Sequence, residues 1–264
     1  MKTKIQSYLP GDYPWQNHIY WFETIDSTNT RAKEMAAAGA PHGTVLIADQ
    51  QTGGRGRMGR SFHSPAGSGI YLSVILRPEC PANKLMHLTC ATAVAAVEGI
   101  ENATGLRPGI KWINDLVVGK KKLGGILTEL SVGNNGIVDY AIVGIGINCT
   151  QQRSDFPEDI RSIATSLLQC TAKNIDREFV IANILTSFSN ICNNLQDISQ
   201  ILAEYRKNCI TLGQEISLVR GDEIRYGTAL DTDEAGALIV RFADGHIEAV
   251  NSGEVSIRGM YGYI

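Results

Sequence analysis

The stretch Lys111–Asn148, KWINDLVVGKKKLGGILTELSVGNNGIVDYAIVGIGIN, decides the fold class. Leu123–Val132 and Ile137–Ile147 are apolar, β-branched runs, and Gly133-Asn134-Asn135-Gly136 lies between them. Turn residues flanked in this way predict an antiparallel hairpin, because Asn and Gly tolerate the positive φ that a tight turn requires. A hairpin at the centre of the chain argues against a purely parallel sheet. Ile110–Ile113 reads as a short strand leading into Asn114-Asp115.

Upstream, Ile19–Ile25 reads as a strand. Asp26 or Ser27 caps a helix through Arg31, Ala32, Met35 and Ala36, which Gly39 and Pro41 stop. Thr44–Asp49 and Ile70–Leu76 are strands, Ala82 to about Thr104 is an Ala-rich helix, and residues 1–17 form a short lead-in. Downstream, Arg177–Asn208 carries one apolar stripe: Phe179/Val180, Ile184, Phe188, Ile191, Leu195, Ile198, Leu202 and Tyr205. Beyond it come five short alternating strands, Glu215–Val219, Tyr226–Leu230, Leu238–Phe242, Ile247–Val250 and Val255–Arg258, separated by glycine-bearing turns. The expected fold class is α+β: a mixed sheet with helices in a domain spanning 1–211, then a small β-barrel in a domain spanning 212–264.

The chain has 264 residues, 44% hydrophobic and 19% charged, with net charge −3. These values fit a folded protein with a sizeable core and oppose disorder, a coiled coil or a globally basic nucleic-acid binder. No run approaches the roughly 20 apolar residues that span a bilayer, and MKTKIQSYLPGDYPWQ lacks the apolar stretch of a secretory signal. Six cysteines without a CxxC pair point to reduced thiols and a cytoplasmic location. Neither a membrane nor a nucleic-acid partner is expected.

Four segments carry chemistry. Gln50–Gly69, QQTGGRGRMGRSFHSPAGSG, holds six glycines and three arginines and should be a surface loop. Gly54-x-Gly56-x-x-Gly59 formally matches a dinucleotide fingerprint. Pro65, Gly67 and Gly69 follow instead of the helix such a site needs, and no GxxxxGK[ST] occurs. Arg55, Arg57 and Arg60 repel one another until a polyanion arrives. Their fork-shaped donors suit phosphates, and a solvated loop or a nucleic-acid contact is the alternative. In the second segment, Lys120 and Lys121 fit a basic turn, whereas Lys122 opens an apolar strand and can place a compact charge beside Gly124-Gly125. Third, Gly144 and Gly146 interrupt an apolar strand, either for a ligand lying flat on the backbone or for a bulge or tight sheet packing. Fourth, Asp26-Ser27-Thr28-Asn29 is an adequate helix cap, and its hydroxyls and N–H groups also suit a small polar ligand. The five histidines are scattered without metal-ligand spacing.

Taken in order, DSTN, QTGGRGRMGR, KWINDLVVGKKKLGGILTEL and VGIGIN resemble the biotin–protein ligase family. The resemblance is dense over about residues 19–150. The stretch from Leu212-Gly213 to Asn251-Ser252-Gly253-Glu254-Val255 is similar to that family's SH3-like barrel. It implies a class II synthetase-like catalytic domain that makes biotinoyl-5′-AMP from biotin and MgATP. Biotin then passes to one lysine of a biotin carboxyl carrier domain. On this resemblance Ser27, Thr28 and Gln51 would meet the ureido ring, and backbone at Gly54, Arg55, Gly125, Gly144 and Gly146 would line the same slot. Arg57 and Arg60 would gather phosphates, and Lys122 would bridge the biotin carboxylate and the α-phosphate. Asp115 would orient the incoming lysine, Lys111, Asn114 and Asn148 would serve the nucleotide, and Phe62 would shelter adenine. Lys122, Arg57 and Asp115 are thus the implied catalytic residues. Mg²⁺ would arrive with ATP and have no dedicated protein site.

Two positions depart from the family pattern. Met58 stands where some members have a further arginine, and Ile113 replaces a common proline, which should alter loop stiffness more than chemistry. Some eighteen residues precede the first strand, too few for the helix-turn-helix that some members carry, so a monofunctional ligase without a repressor domain is expected. A monomer or homodimer is the expected state. A lipoate–protein ligase, a nucleic-acid-binding module and a catalytically silent binding protein are the competing readings.

Overall fold

The computed structural model describes residues 1–78, 82–85, 87–193, 198–251 and 256–259. Cys80, Leu195, Ser252, Gly253, Glu254 and Val255, which entered the expectations above, lie outside the described residues.

Seven strands form one mixed sheet: β1 (Ile19–Ile25), β2 (Thr44–Gln51), β3 (Gly69–Leu76), β4 (Gly109–Lys111), β5 (Asp115–Val118), β6 (Lys121–Val132) and β7 (Val138–Asn148). Their order is β1-β2-β3-β7-β6-β5-β4. Only β1 and β2 pair in parallel; the other five pairings are antiparallel, so the sheet is mixed. The β6–β7 hairpin at its centre turns at Gly133–Gly136, where Gly136 adopts φ +76°.

Alternation along β2 and β3 sorts side chains onto two faces. Val45 and Ile47 of β2 and Leu72, Val74 and Leu76 of β3 join the large core, which is covered by α3 (Leu88–Thr104) and α5 (Arg177–Asn193). Leu46 and Ile75 face the other way, against Ala32 and Ala36 of α2 (Thr28–Ala37). The α3–α5 contact is close because Gly99 leaves room for the backbone of Ile184.

Several elements differ from the sequence-based expectation. Lys2–Tyr8 is a helix, α1, and not a plain lead-in. Ile5 and Leu9 are buried in the core, and Lys4 bridges Asp176 and Glu178 at the start of α5. β5 was not anticipated: Leu116 and Val117 are buried between β4 and β6, in a run too short to show a period. The short helix α4 (Leu167–Thr171), capped by Ser166, was also missed. The expected single helix over 177–208 is described as two segments, α5 and α6 (Ile198–Asn208), with residues 194–197 between them outside the described residues. Ala82–Leu85 is a 3-10 turn ahead of α3.

Beyond α6 the chain forms a separate antiparallel sheet: β8 (Glu215–Arg220), β9 (Glu223–Thr232), β10 (Leu238–Phe242), β11 (Ile247–Val250) and β12 (Ser256–Gly259). Its order is β11-β10-β9-β8-β12. Ile216, Leu218, Ala229, Leu238 and Val240 belong to the same apolar cluster as α3 and β6, so the two sheets share one core. Among the described residues no helix is long and apolar enough to cross a membrane.

Candidate active site

A cavity of about 490 Å³ lies where the arginine loop, the start of α2, and β3, β5, β6 and β7 meet. Each of the four chemistry-bearing segments contributes to it. Its lining includes Ser27, Thr28, Gln51, Arg55, Arg57, Arg60, Phe62, Lys111, Asn114, Asp115, Lys122, Gly125, Gly144 and Gly146. Gly54 and Asn148 are not on the lining. Gly54 lies against Phe62 O and Ser64, and Asn148 is buried, its amide donating to Thr165 O at 2.9 Å.

One half of the cavity is a network of neutral polar groups. Ser27 caps α2, its hydroxyl accepting from Thr30 N. The extended φ of −156° that this cap requires places Thr28 at the helix mouth. Thr28 donates from N (2.8 Å) and Oγ1 (3.1 Å) to Gln51 Oε1, and Gln51 Nε2 donates to Ser64 Oγ at 3.0 Å. Ser73 Oγ donates to Asn29 Oδ1 at 2.6 Å and lies 2.8 Å from Thr28 Oγ1. Asn29 in turn donates to Glu129 Oε2 at 2.9 Å. The Gln51 and Asn29 amides each present a fixed acceptor and a fixed donor, and the Thr28 hydroxyl can donate to Gln51 or to Ser73, which suits a ligand presenting both N–H and C=O.

Glu129 also accepts from Lys33 and from Arg55, tying the arginine loop to this network. Burial alone would raise its pKa. Hydrogen bonds from Lys33 and Asn29 outweigh that and hold it below the ordinary carboxylate value.

Gly144 and Gly146 are close-packing positions. A Cβ on Gly144 would overlap Asn29 Oδ1, and one on Gly146 would lie 2.8 Å from the Phe62 ring. The Phe62 ring meets Tyr71 edge-on, with centroids 6.3 Å apart. It thus sits between Gly146 and Tyr71, on the same cavity lining as Arg60 and Lys122.

The other half is cationic. Arg57 Nη1 donates to Asn114 Oδ1 at 2.9 Å, and Lys122 Nζ donates to Asp115 Oδ1 at 2.7 Å. Burial lowers the Arg57 pKa, with Asp115 partly offsetting that effect, and the guanidinium stays charged. Five basic side chains line the cavity (Arg55, Arg57, Arg60, Lys111 and Lys122) against one carboxylate, Asp115, in a chain whose net charge is −3. The positive charge is therefore local, as a polyanion site requires. Register explains the Lys122–Asp115 pairing: Asp115 lies opposite Gly125 across β5–β6, and the shift between Leu116 and Val117 brings Lys122 round to it. The far end of the loop is also fixed. Asp49 pairs with Arg177 at 2.7 Å and accepts from Gly67 N, while Arg177 donates to Gly69 O.

Known proteins resemble this arrangement. Residues 21–148 match the Biotin/lipoate A/B protein ligase family, and residues 211–258 match the Biotin protein ligase C terminal domain. The bifunctional ligase/repressor BirA of Bacillus spizizenii is 39% identical over 242 residues, covering 91% of this chain and 74% of that protein. This chain belongs to the biotin protein ligase family. The ligase is also 32% identical to the biotin–[acetyl-CoA-carboxylase] ligase of Mycobacterium tuberculosis, over 87% of this chain and 85% of that one. In fold it is similar to the biotin protein ligase of Aquifex aeolicus, solved in complex with biotin and ATP. That match has a TM-score of 0.79 and 33% identity, and covers 92% of this chain and 99% of that one.

Reading the ligase from sequence missed Asn29, Ser73 and Glu129 as parts of the site. Ser73 gave a usable signal, a hydroxyl inside the otherwise apolar run of β3. Asn29 stood within DSTN but was indistinguishable from an ordinary first-turn residue.

Proposed function

We propose that the ligase joins biotin to ATP as biotinoyl-5′-AMP and then transfers biotin to one lysine of the biotin carboxyl carrier domain of a biotin-dependent carboxylase. The observation carrying this reading is the division of a single cavity into a neutral donor–acceptor network and a cationic half that meet at Lys122 and Gly125. The network around Thr28, Gln51 and Ser73 suits a ureido ring, and Lys122 would meet its carboxylate.

In the first step a carboxylate oxygen bonds to the α-phosphorus and the bond to pyrophosphate breaks. Two anions approach, and Arg57, Arg60 and Lys122 offset their repulsion without a covalent enzyme intermediate. The acidic lining of the cavity is Asp115 alone, and among the described residues no His/Cys/Asp/Glu group could hold a metal. Magnesium would arrive on the nucleotide, and Asn114 and Asp115 are the residues that would hold it. Bound there, magnesium supplies neutralisation of phosphate charge.

In the second step the acceptor amine attacks the acyl carbon, the C–O bond to AMP breaks, and the amine loses a proton. A free lysine amine has a pKa of about 10.4, so it needs a partner as it enters. Asp115 becomes that partner when Lys122 turns to the ligand. The Gln50–Gly69 loop closes over the mixed anhydride and keeps water from it.

We assign residues 1–211 to the catalytic domain and 212–264 to the SH3-like domain. The change of sheet at β8 and the family match beginning at residue 211 support this division. The described cysteines are all free thiols, Cys149 pushed up to about 12 by complete burial, which suits a reducing cytoplasm.

Mass spectrometry of an isolated carrier domain incubated with the ligase, ATP, magnesium and either biotin or lipoate tests the proposal. A biotinoyl adduct on one lysine is expected. A lipoyl adduct alone would transfer the site to the other branch of the family, and no adduct with pyrophosphate never released would leave only a binding protein.

A further inference from the structure

The segment Lys111–Asp115 supplies four lining residues, Lys111, Trp112, Asn114 and Asp115, yet its strand, β4, lies at the edge of the large sheet. An edge strand followed by a turn has few neighbours to fix it. Here it is held from outside the four motifs. Ile210 N donates to Ile110 O at 2.9 Å, and Ile110 bridges Cys209 in parallel, so the chain after α6 runs along the free edge of β4.

Three buried hydrogen bonds continue the attachment into the turn. Trp112 N donates to Thr211 Oγ1 at 2.9 Å. The Trp112 indole Nε1 donates to Gly236 O, in the β9–β10 turn of the second sheet, also at 2.9 Å. The Ile113 carbonyl accepts from Tyr205 OH at 3.3 Å. Tyr205 is fully buried and close enough to Arg57 to interact electrostatically. The β9–β10 turn is itself packed inward: Gly236 has φ +83°, and a Cβ there would lie 3.0 Å from Cys90 Sγ in α3. By contrast, the neutral network of the cavity runs through Thr28, Asn29, Gln51, Ser64 and Ser73.

We propose that Tyr205 and Thr211, at the end of the catalytic domain, together with the Gly236 turn of the second sheet, are positioning elements for the nucleotide half of the cleft. This deepens the function proposed above and rests on it. Buried donors and acceptors left without partners are costly, so these three partners, alongside the bonds between Asn114 and Ile126, fix the conformation of the turn bearing Lys111, Asn114 and Asp115. The neutral slot, held by other elements, does not depend on them.

The test uses the full chain and four measurements on wild type, Thr211→Val, Thr211→Ser and Tyr205→Phe. They are biotin affinity without ATP, adenylation without acceptor over a range of ATP concentrations, transfer from preformed biotinoyl-AMP, and thermal midpoint. Thr211→Val keeps the shape and removes the acceptor for Trp112 N–H. We expect it to lower kcat/KM for ATP about tenfold, the size of one unsatisfied buried hydrogen bond. Biotin affinity should stay within about twofold of wild type, and Thr211→Ser should restore activity. Adenylation by Thr211→Val at the wild-type rate, or a parallel fall in biotin affinity, would overturn the proposal. So would slowed transfer with normal adenylation, because these residues would then serve the acceptor step alone. If Thr211→Val does not fold, Tyr205→Phe is read in the same way, since it keeps the ring and removes only the hydroxyl. Wild type that binds biotin but forms no biotinoyl-AMP would instead refute the function itself.

Discussion

Replacing Lys122 with alanine perturbs the point where the two halves of the cavity meet. Its ammonium lies 2.7 Å from Asp115 Oδ1, with 30% of the side chain exposed. During adenylation a carboxylate and an α-phosphate must approach each other beside this group. Two unit charges about 4 Å apart interact by about 4 kcal/mol at an effective dielectric of about 20, which bounds what one cation can offset. Removing one preorganised donor from a developing oxyanion costs about 2.7–4 kcal/mol in known cases. The two figures agree, so Lys122→Ala should slow adenylation by about 10²–10³. The variant also removes the Lys122–Asp115 ion pair, so part of the loss belongs to that carboxylate. Adding Asp115→Asn to the same chain separates the two contributions, because non-additivity measures the coupling. Rapid-quench detection of biotinoyl-AMP in a single turnover is the assay. Adenylation by Lys122→Ala within about fivefold of wild type would refute the reasoning, since no partner then bears the charge assigned here.

Further outcomes follow from other parts of the structure. Arg57→Ala loses the bond to Asn114 and a cation from the loop, so biotinoyl-AMP should escape faster; a filtration assay after one turnover reads the released fraction. Gly144→Ala places a methyl on Asn29 Oδ1 and forces that side chain away from Ser73, at an overpacking cost of about 1–3 kcal/mol. Its biotin affinity should fall about tenfold or more, which calorimetry measures. At the N-terminus burial would raise the Asp176 pKa, but Lys4, Phe179 N and Tyr8 outweigh it and hold it at about 2. A carboxyl depressed in the folded state stabilises above its unfolded pKa. This contribution should therefore be complete above about pH 4 and disappear as pH falls towards 2. Because Asp176 is 36% exposed, it should amount to less than about 1 kcal/mol. Thermal midpoints of wild type and Asp176→Asn measured down this pH range should converge.

Much of this architecture could be read from the chain because local signals agreed with tertiary packing. β1, the Ser27 cap, the central hairpin and the first four strands of the second sheet all stand where alternation and turn residues placed them. The failures have a common physical form. α1 is seven residues long, and what holds it is Ile5 in the core and Lys4 on α5, residues more than 170 positions apart in sequence. β5 has only four residues, and its place is set by its neighbours β4 and β6.

The site shows the same division. Lys122, Arg57 and the paired glycines announced themselves by being costly or unusual where they stood, a cation opening an apolar strand and glycines within one. Ser73, Glu129, Thr211 and Tyr205 look like ordinary residues in ordinary elements. Their contribution exists only once the chain has brought them behind the groups that line the cavity. Phe62 is instructive in another way. A loop aromatic could be placed at a ligand site from sequence, but its packing on Gly146 and Tyr71 could not.

The central claim is that the positive side chains of the arginine loop and of β6 act on one acyl-phosphate bond. Isotope exchange between labelled pyrophosphate and ATP, measured without any acceptor, tests it most directly. The account predicts label entering ATP only when biotin is present, and entering it about 10²–10³-fold more slowly in Lys122→Ala. Transfer of biotin to a carrier lysine with no biotin-dependent exchange would contradict it.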